Sequence, residues 1–135
     1  MLAVTAEPPV AAGTVHVLRG RTSEGAPLVL TLRGRRIVRV RVTLERYVCV
    51  PQGDIAPVRV DATADARIGP RRRFGFSAGA PSERLRVDGT ITASGLTARG
   101  SLRLRGTIGT GDPCRSPRVR FRIGARPQGA AAAPA

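Results

Sequence analysis

No lysine, asparagine or tryptophan occurs in this chain of 135 residues, aromatic residues make up only 3% of it, and histidine appears once. With so few rings, a buried core has to be built from Val, Leu, Ile and Ala. His16 and two cysteines, Cys49 and Cys114, are too few ligands for a four-coordinate zinc site. No run approaches the roughly 18 apolar residues of a membrane-spanning helix. The 9 acidic residues are scattered without a paired-carboxylate pattern, and no Ser or Asp spacing around His16 suggests a catalytic triad. The glycine-rich "GTIGTGDP" has neither the lysine nor the following helix of a phosphate-binding loop. These gaps set the expectation of a protein that is not an enzyme and carries no metal or cofactor.

Arginine is abundant instead. All 23 basic residues are Arg, giving a net charge of +14. Such a balance points toward an anionic envelope polymer or protein, acidic lipid or nucleic acid as partner. A GC-rich coding sequence would produce the same skew without any role in binding, because Lys and Asn are encoded by A-rich codons. Hydrophobic residues at 41%, with 16 Gly and 11 Pro, suit a folded body with many turns. The length fits one domain. Residues 13–125 are expected to form it, residues 1–12 to be a signal-peptide remnant or disordered lead, and residues 126–135, "RPQGAAAAPA", a disordered tail.

Along the chain the dominant signal is alternation with period two, the mark of strands with one buried face. Leu28, Leu30 and Leu32 share a face, as do Val38, Val40, Val42 and Leu44 with Arg39, Arg41, Thr43 and Glu45 opposite. The pattern continues through Val58 and Val60, Phe74 and Phe76, and Leu85, Val87, Gly89 and Ile91. It resumes in Leu96, Ala98, Gly100, Leu102 and Leu104, and ends in Val119, Phe121 and Ile123. About eight strands joined by short Gly- and Pro-marked turns predict an all-β domain, an antiparallel sandwich or an up-and-down barrel. Connections too short for crossovers argue against parallel pairing.

Three constellations invite a functional reading. Arg39, Arg41, Arg103, Arg105, Arg118, Arg120 and Arg122 stand at alternate positions, so on neighbouring strands they would form a grid of forked donors for phosphate, sulfate or carboxylate. The competing account is a solvated strand face with Glu45, Asp61 and Asp88 as cross-strand partners. Residues 71–77, "RRRFGFS", resemble the basic aromatic strand of cold-shock and related RNA-binding domains, but "ERLRVDG" supplies no second aromatic cluster, so Phe74 and Phe76 read as core. Cys49 and Cys114 leave two alternatives, a disulfide in an oxidising compartment or free thiols in the cytosol. If paired, they close a loop worth roughly 4 kcal/mol in the chain-entropy model.

The succession "GRTSEG" at 20–25, Cys49, "RRF" ending at Phe74, Gly89, Gly100 and Cys114 resembles a group of uncharacterised secreted β-domain proteins of actinobacteria, over residues 14–124. The resemblance implies export and a disulfide, and it brings no activity with it. The expectation is therefore a secreted or cell-envelope binding module, cytoplasmic if the cysteines are free. A nucleic-acid-binding β-domain and a small-ligand barrel are the alternatives. Within "RRIVRVRVTLERYVCV", strict alternation would bury Arg46 and expose Tyr47 and Cys49. A β-bulge near Glu45 and Arg46 is expected to reverse this and turn Cys49 toward Cys114.

Overall fold

The computed structural model describes residues 14–51, 53–54, 57–107 and 111–125, and the expectations for the two ends of the chain lie outside them. The fold is all-β and antiparallel. Eight long strands carry it: β1 (Val15–Thr22), β2 (Pro27–Arg33), β3 (Arg36–Leu44), β6 (Val58–Arg67), β7 (Arg73–Ala80), β8 (Glu83–Ile91), β9 (Thr97–Thr107) and β11 (Val119–Gly124). Three short ones, β4 (Val48–Cys49), β5 (Gly53–Asp54) and β10 (Pro113–Arg115), form a ribbon at one end. No helix among the described residues is long and apolar enough to cross a membrane.

The long strands pair in the order β6-β3-β2-β1-β11-β9-β8-β7. This is an up-and-down meander whose first and last strands are neighbours. Strands β6 and β7, at its two ends, approach each other with no ladder between them among the described residues, so the sheet is rolled but not closed. Strand β9 joins the ribbon to the meander by its length. One edge holds β8, while the other holds β11 against residues 97–102 and then β10 against residues 105–107.

The alternation works as expected in most strands. Leu18, Leu28, Leu30, Leu44, Leu85 and Leu104 are 0% exposed, so no water-sized space touches them. Two assignments need correction. Val38 is only half-buried and Ile37 takes the inward place, because Leu32 pairs with Ile37 and Thr31 with Arg39, leaving Val38 as an extra, bulged residue. Leu96 is 41% exposed, because β9 starts after it.

The bulge expected near Glu45 and Arg46 is absent. The chain ends β3 at Leu44 and breaks before a new strand, β4. Tyr47 and Cys49 still turn inward, at 2% and 0% exposed. The strand's bulge lies at its other end, at Val38.

Glycine shapes the opposite side. A Cβ on Gly89 would stand 2.5 Å from the Arg99 carbonyl oxygen and 2.8 Å from the Phe74 ring, and one on Gly100 would strike the Asp88 carbonyl. These paired glycines let β8 and β9 come unusually close, and the Phe74 ring covers the space left without side chains.

Candidate anion-binding face

Cys49 and Cys114 lie directly opposite each other in the β4–β10 pair and form a disulfide, with Cα atoms 4.0 Å apart. Both are buried. Beside them, the Tyr47 hydroxyl is buried, and a Cβ on Gly106 would lie 2.7 Å from it. Burial, together with the nearby Glu83 carboxylate, pushes the pKa of this hydroxyl up to about 12.

The expected arginine set divides in two. Arg39 and Arg41 lie on β3, which is separated from β9 by β11, β1 and β2 in the order of the sheet. There they meet acid. Arg39 donates from Nε and Nη2 to the two Asp61 oxygens at 2.8 and 2.7 Å, and Arg41 Nε stands 3.7 Å from the same carboxylate. Chiefly by its hydrogen bond, Arg39 holds the Asp61 carboxyl below its usual 3.8, with its charge and that of Arg41 helping. Farther along, Arg36 reaches Asp65 at 2.6 Å. This face fits the solvated reading, with acids on the neighbouring strand engaging its arginines.

Arg103, Arg105, Arg118, Arg120 and Arg122 do come together, on β9 and on or just before β11. Five arginines outside the expected set join them: Arg84 and Arg86 on β8, Arg99 on β9, Arg115 on β10 and Arg21 on β1. The signal of the first three was present in the same alternation, in "ERLRVDG" and "TARGS", and only the strand order was missing. The register sets Arg86 opposite Arg103, Arg84 opposite Arg105, Arg105 opposite Arg115, Arg99 opposite Arg122, and Arg122 opposite Arg21. Like charges in directly opposed positions are destabilising.

Relief on this face is slight. Asp88 is the one acid in these rows, and Arg86 engages it from Nε at 3.0 Å and Nη2 at 2.7 Å, lying across Gly75. Between the arginine rows runs a line of smaller residues, Gly75, Asp88 and Ser101, that ends at Arg120. It borders a shallow cleft of about 500 Å³ whose walls include Arg73, Arg118 and Arg120. Forked donors on both banks of an open trough can take successive oxyanions of a chain.

All four aromatic side chains, Tyr47, Phe74, Phe76 and Phe121, are buried. Base stacking on "RRRFGFS" is therefore not available on this surface. No cluster of His, Cys, Asp and Glu among the described residues could hold a metal ion.

A second set of basic groups lies at one end of the rolled sheet. The β6–β7 connection is closed by Arg72 N–H to the Gly69 carbonyl at 3.1 Å and by Gly69 N–H to the Arg73 carbonyl at 2.8 Å. Arg71 and Arg72 both sit at φ 58°, in the left-handed region that costs an ordinary L-residue roughly 1–2 kcal/mol. They are the two non-glycine residues at positive φ among those described. The chain is rolled and antiparallel, cross-linked, and bears an acid-poor arginine face. Comparison with protein-family models, curated proteins and solved structures finds no match for it.

Proposed function

We propose that this is a non-enzymatic, extracytoplasmic binding module that presents the β8–β9–β11 face to an anionic polymer of the cell envelope. The observation that carries the reading is the register of that face with the flanking strands β1 and β10, where five arginine–arginine pairs stand opposed with Asp88 as the single acid in the rows. A bound polyanion supplies the missing countercharge. The disulfide fits an oxidising compartment, and the resemblance to secreted proteins agrees with export.

Binding by such a face weakens with salt, since each neutralised phosphate releases counterions. The test measures affinity for a poly(glycerol phosphate) across a salt series. We expect a steep linear fall in log affinity with log salt, and a slope smaller by about 3 in the Arg99→Gln, Arg105→Gln, Arg122→Gln variant. No binding at low salt sinks the proposal.

Nucleic acid is the second reading, favoured by the same phosphate-binding chemistry. With the rings buried, such binding would be sequence-independent and backbone-only. Tighter binding to DNA than to the envelope polymer at equal salt would favour it. A small-ligand barrel finds no support in the interior, where Leu18, Leu28, Leu30, Leu44, Leu85 and Leu104 are 0% exposed.

A further inference from the structure

We infer that the end of the sheet carrying the strained arginine turn is a separate binding site for a small tetrahedral oxyanion, a phosphate or sulfate group on a compact body. Three connections meet there. The β2–β3 turn brings Arg35, the β6–β7 turn brings Arg72, the β8–β9 turn brings Thr92 and Ser94, and β1 adds His16. Together they ring a cleft of about 310 Å³, at the small end of the range for ligand sites. Leu32, Ile68 and Ile91 line it from within.

The donors converge on one kind of ligand. Two guanidinium groups provide forked N–H donors, and the imidazole offers one more. The Thr92 and Ser94 hydroxyls are 3.1 Å apart, and each also accepts a backbone N–H, from Thr97 and Leu96 respectively. Only one hydroxyl proton is used between them, so the other is free to donate to a guest. Among the described residues, no acidic side chain lines this cleft.

The backbone supplies an independent argument. Arg73 N–H closes a turn onto the Pro70 carbonyl, with Arg71 and Arg72 as its two positive-φ central residues, the conformation of a type I′ turn. Asn-Gly is the pair that suits such a turn. Arginine there gains nothing for the fold: both side chains are exposed and neither makes an ion pair among the described residues. Strain held at the rim of a cleft ringed by cations is the usual companion of a ligand clamp.

The chain's single histidine makes the test clean, because every imidazole NMR signal belongs to His16. Sodium phosphate and phenyl phosphate are titrated at constant ionic strength into the wild type, into Arg71→Asn with Arg72→Gly, and into the Arg99→Gln, Arg105→Gln, Arg122→Gln variant. We expect a saturable His16 shift in the wild type, kept in the triple variant and weakened at least tenfold in the turn variant, whose melting temperature rises by a few degrees. The folded, more stable turn variant separates lost binding from lost structure. The proposal is overturned by an equal shift with sodium chloride, by no saturable shift, or by full binding in the turn variant. Loss of the shift in the triple variant also overturns it, by moving phosphate to the outer face. Failure of the polymer-binding proposal leaves all of these readouts in place.

Discussion

The β3–β6 face and the β8–β9–β11 face are written in the same alphabet, aliphatic residues alternating with arginine, and they differ in how much acid the neighbouring strands supply. On the first, Asp61 and Asp65 stand within 2.6–2.8 Å of Arg39 and Arg36 and offset part of the charge inside the sheet, although Arg36 also stands opposite Arg33 and Arg67. On the second, taken with its flanking strands β1 and β10, arginine is opposed to arginine across five registered pairs. Arginine content is thus no guide to function by itself. What separates solvation from a binding face is which residue the neighbouring strand puts opposite. If codon bias were the whole account, both faces would have received acids alike.

The largest way to disturb this contrast is through the bridge. Cys49–Cys114 spans 65 residues and fastens β4 to β10, whose Arg115 extends the unpaired face, whereas β3 and β6 are joined without a covalent tie. Replacing both cysteines by serine is expected to remove roughly 4 kcal/mol of stability in the chain-entropy model. Urea unfolding of the variant, and of the wild type with and without reductant, measures it. An unchanged midpoint would show that the ribbon is held by pairing alone.

A smaller effect discriminates more sharply, because it changes sign between the faces. Neutralising Arg99, Arg105 and Arg122 to glutamine removes four of the five opposed pairs, each worth ~0.2–1 kcal/mol of repulsion. Stability should therefore rise by about 1 kcal/mol at low salt, and added salt should shrink the gain by screening. The matching Arg39→Gln, Arg41→Gln variant loses the Asp61 partnership and should unfold at slightly lower urea. If both variants shift the midpoint in the same direction, the two faces are not different in kind.

Much of the architecture was legible in the chain, for a definite reason. Period-two alternation records which side of a strand is buried, and so Leu28, Leu85, Val119 and their neighbours could be placed inward, and Phe74 and Phe76 assigned to core. Alternation carries no mark of strand order. Alternation alone therefore groups Arg39 and Arg41 with Arg103 through Arg122, although β1 and β2 stand between β3 and β11, and gives no reason to add Arg21, Arg84, Arg86, Arg99 and Arg115. Local irregularities were half legible. The inward turn of Tyr47 and Cys49 followed from the broken rhythm, but a strand end reverses parity as well as a bulge does. The bulge at Val38 left no sign, since Val38 is as apolar as the Ile37 that displaced it. Arg71 and Arg72 at positive φ were unreadable too, because turn chemistry would place asparagine or glycine there.

Acid offers the finest adjustment of the contrast, through Asp61. Its carboxyl is held below the usual 3.8 chiefly by the Arg39 hydrogen bond, so the folded chain binds this proton less readily than the unfolded one. The pair's contribution is accordingly complete above the unfolded value and is lost as the pH falls through the lower folded one. Neutral and mildly acid solutions leave Arg39 and Arg41 engaged. Once Asp61 takes up its proton, Arg39 and Arg41 lose their countercharge, while Asp65 stays beside Arg36. Asp61→Asn makes the same change at neutral pH. It should cause little shift in melting temperature, the pair being exposed, and should add a weak, salt-sensitive increment of polyanion binding. An increment that survives further conversion of Arg39 and Arg41 to glutamine would place the extra binding elsewhere, and the acid at Asp61 would then not be what sets the two faces apart.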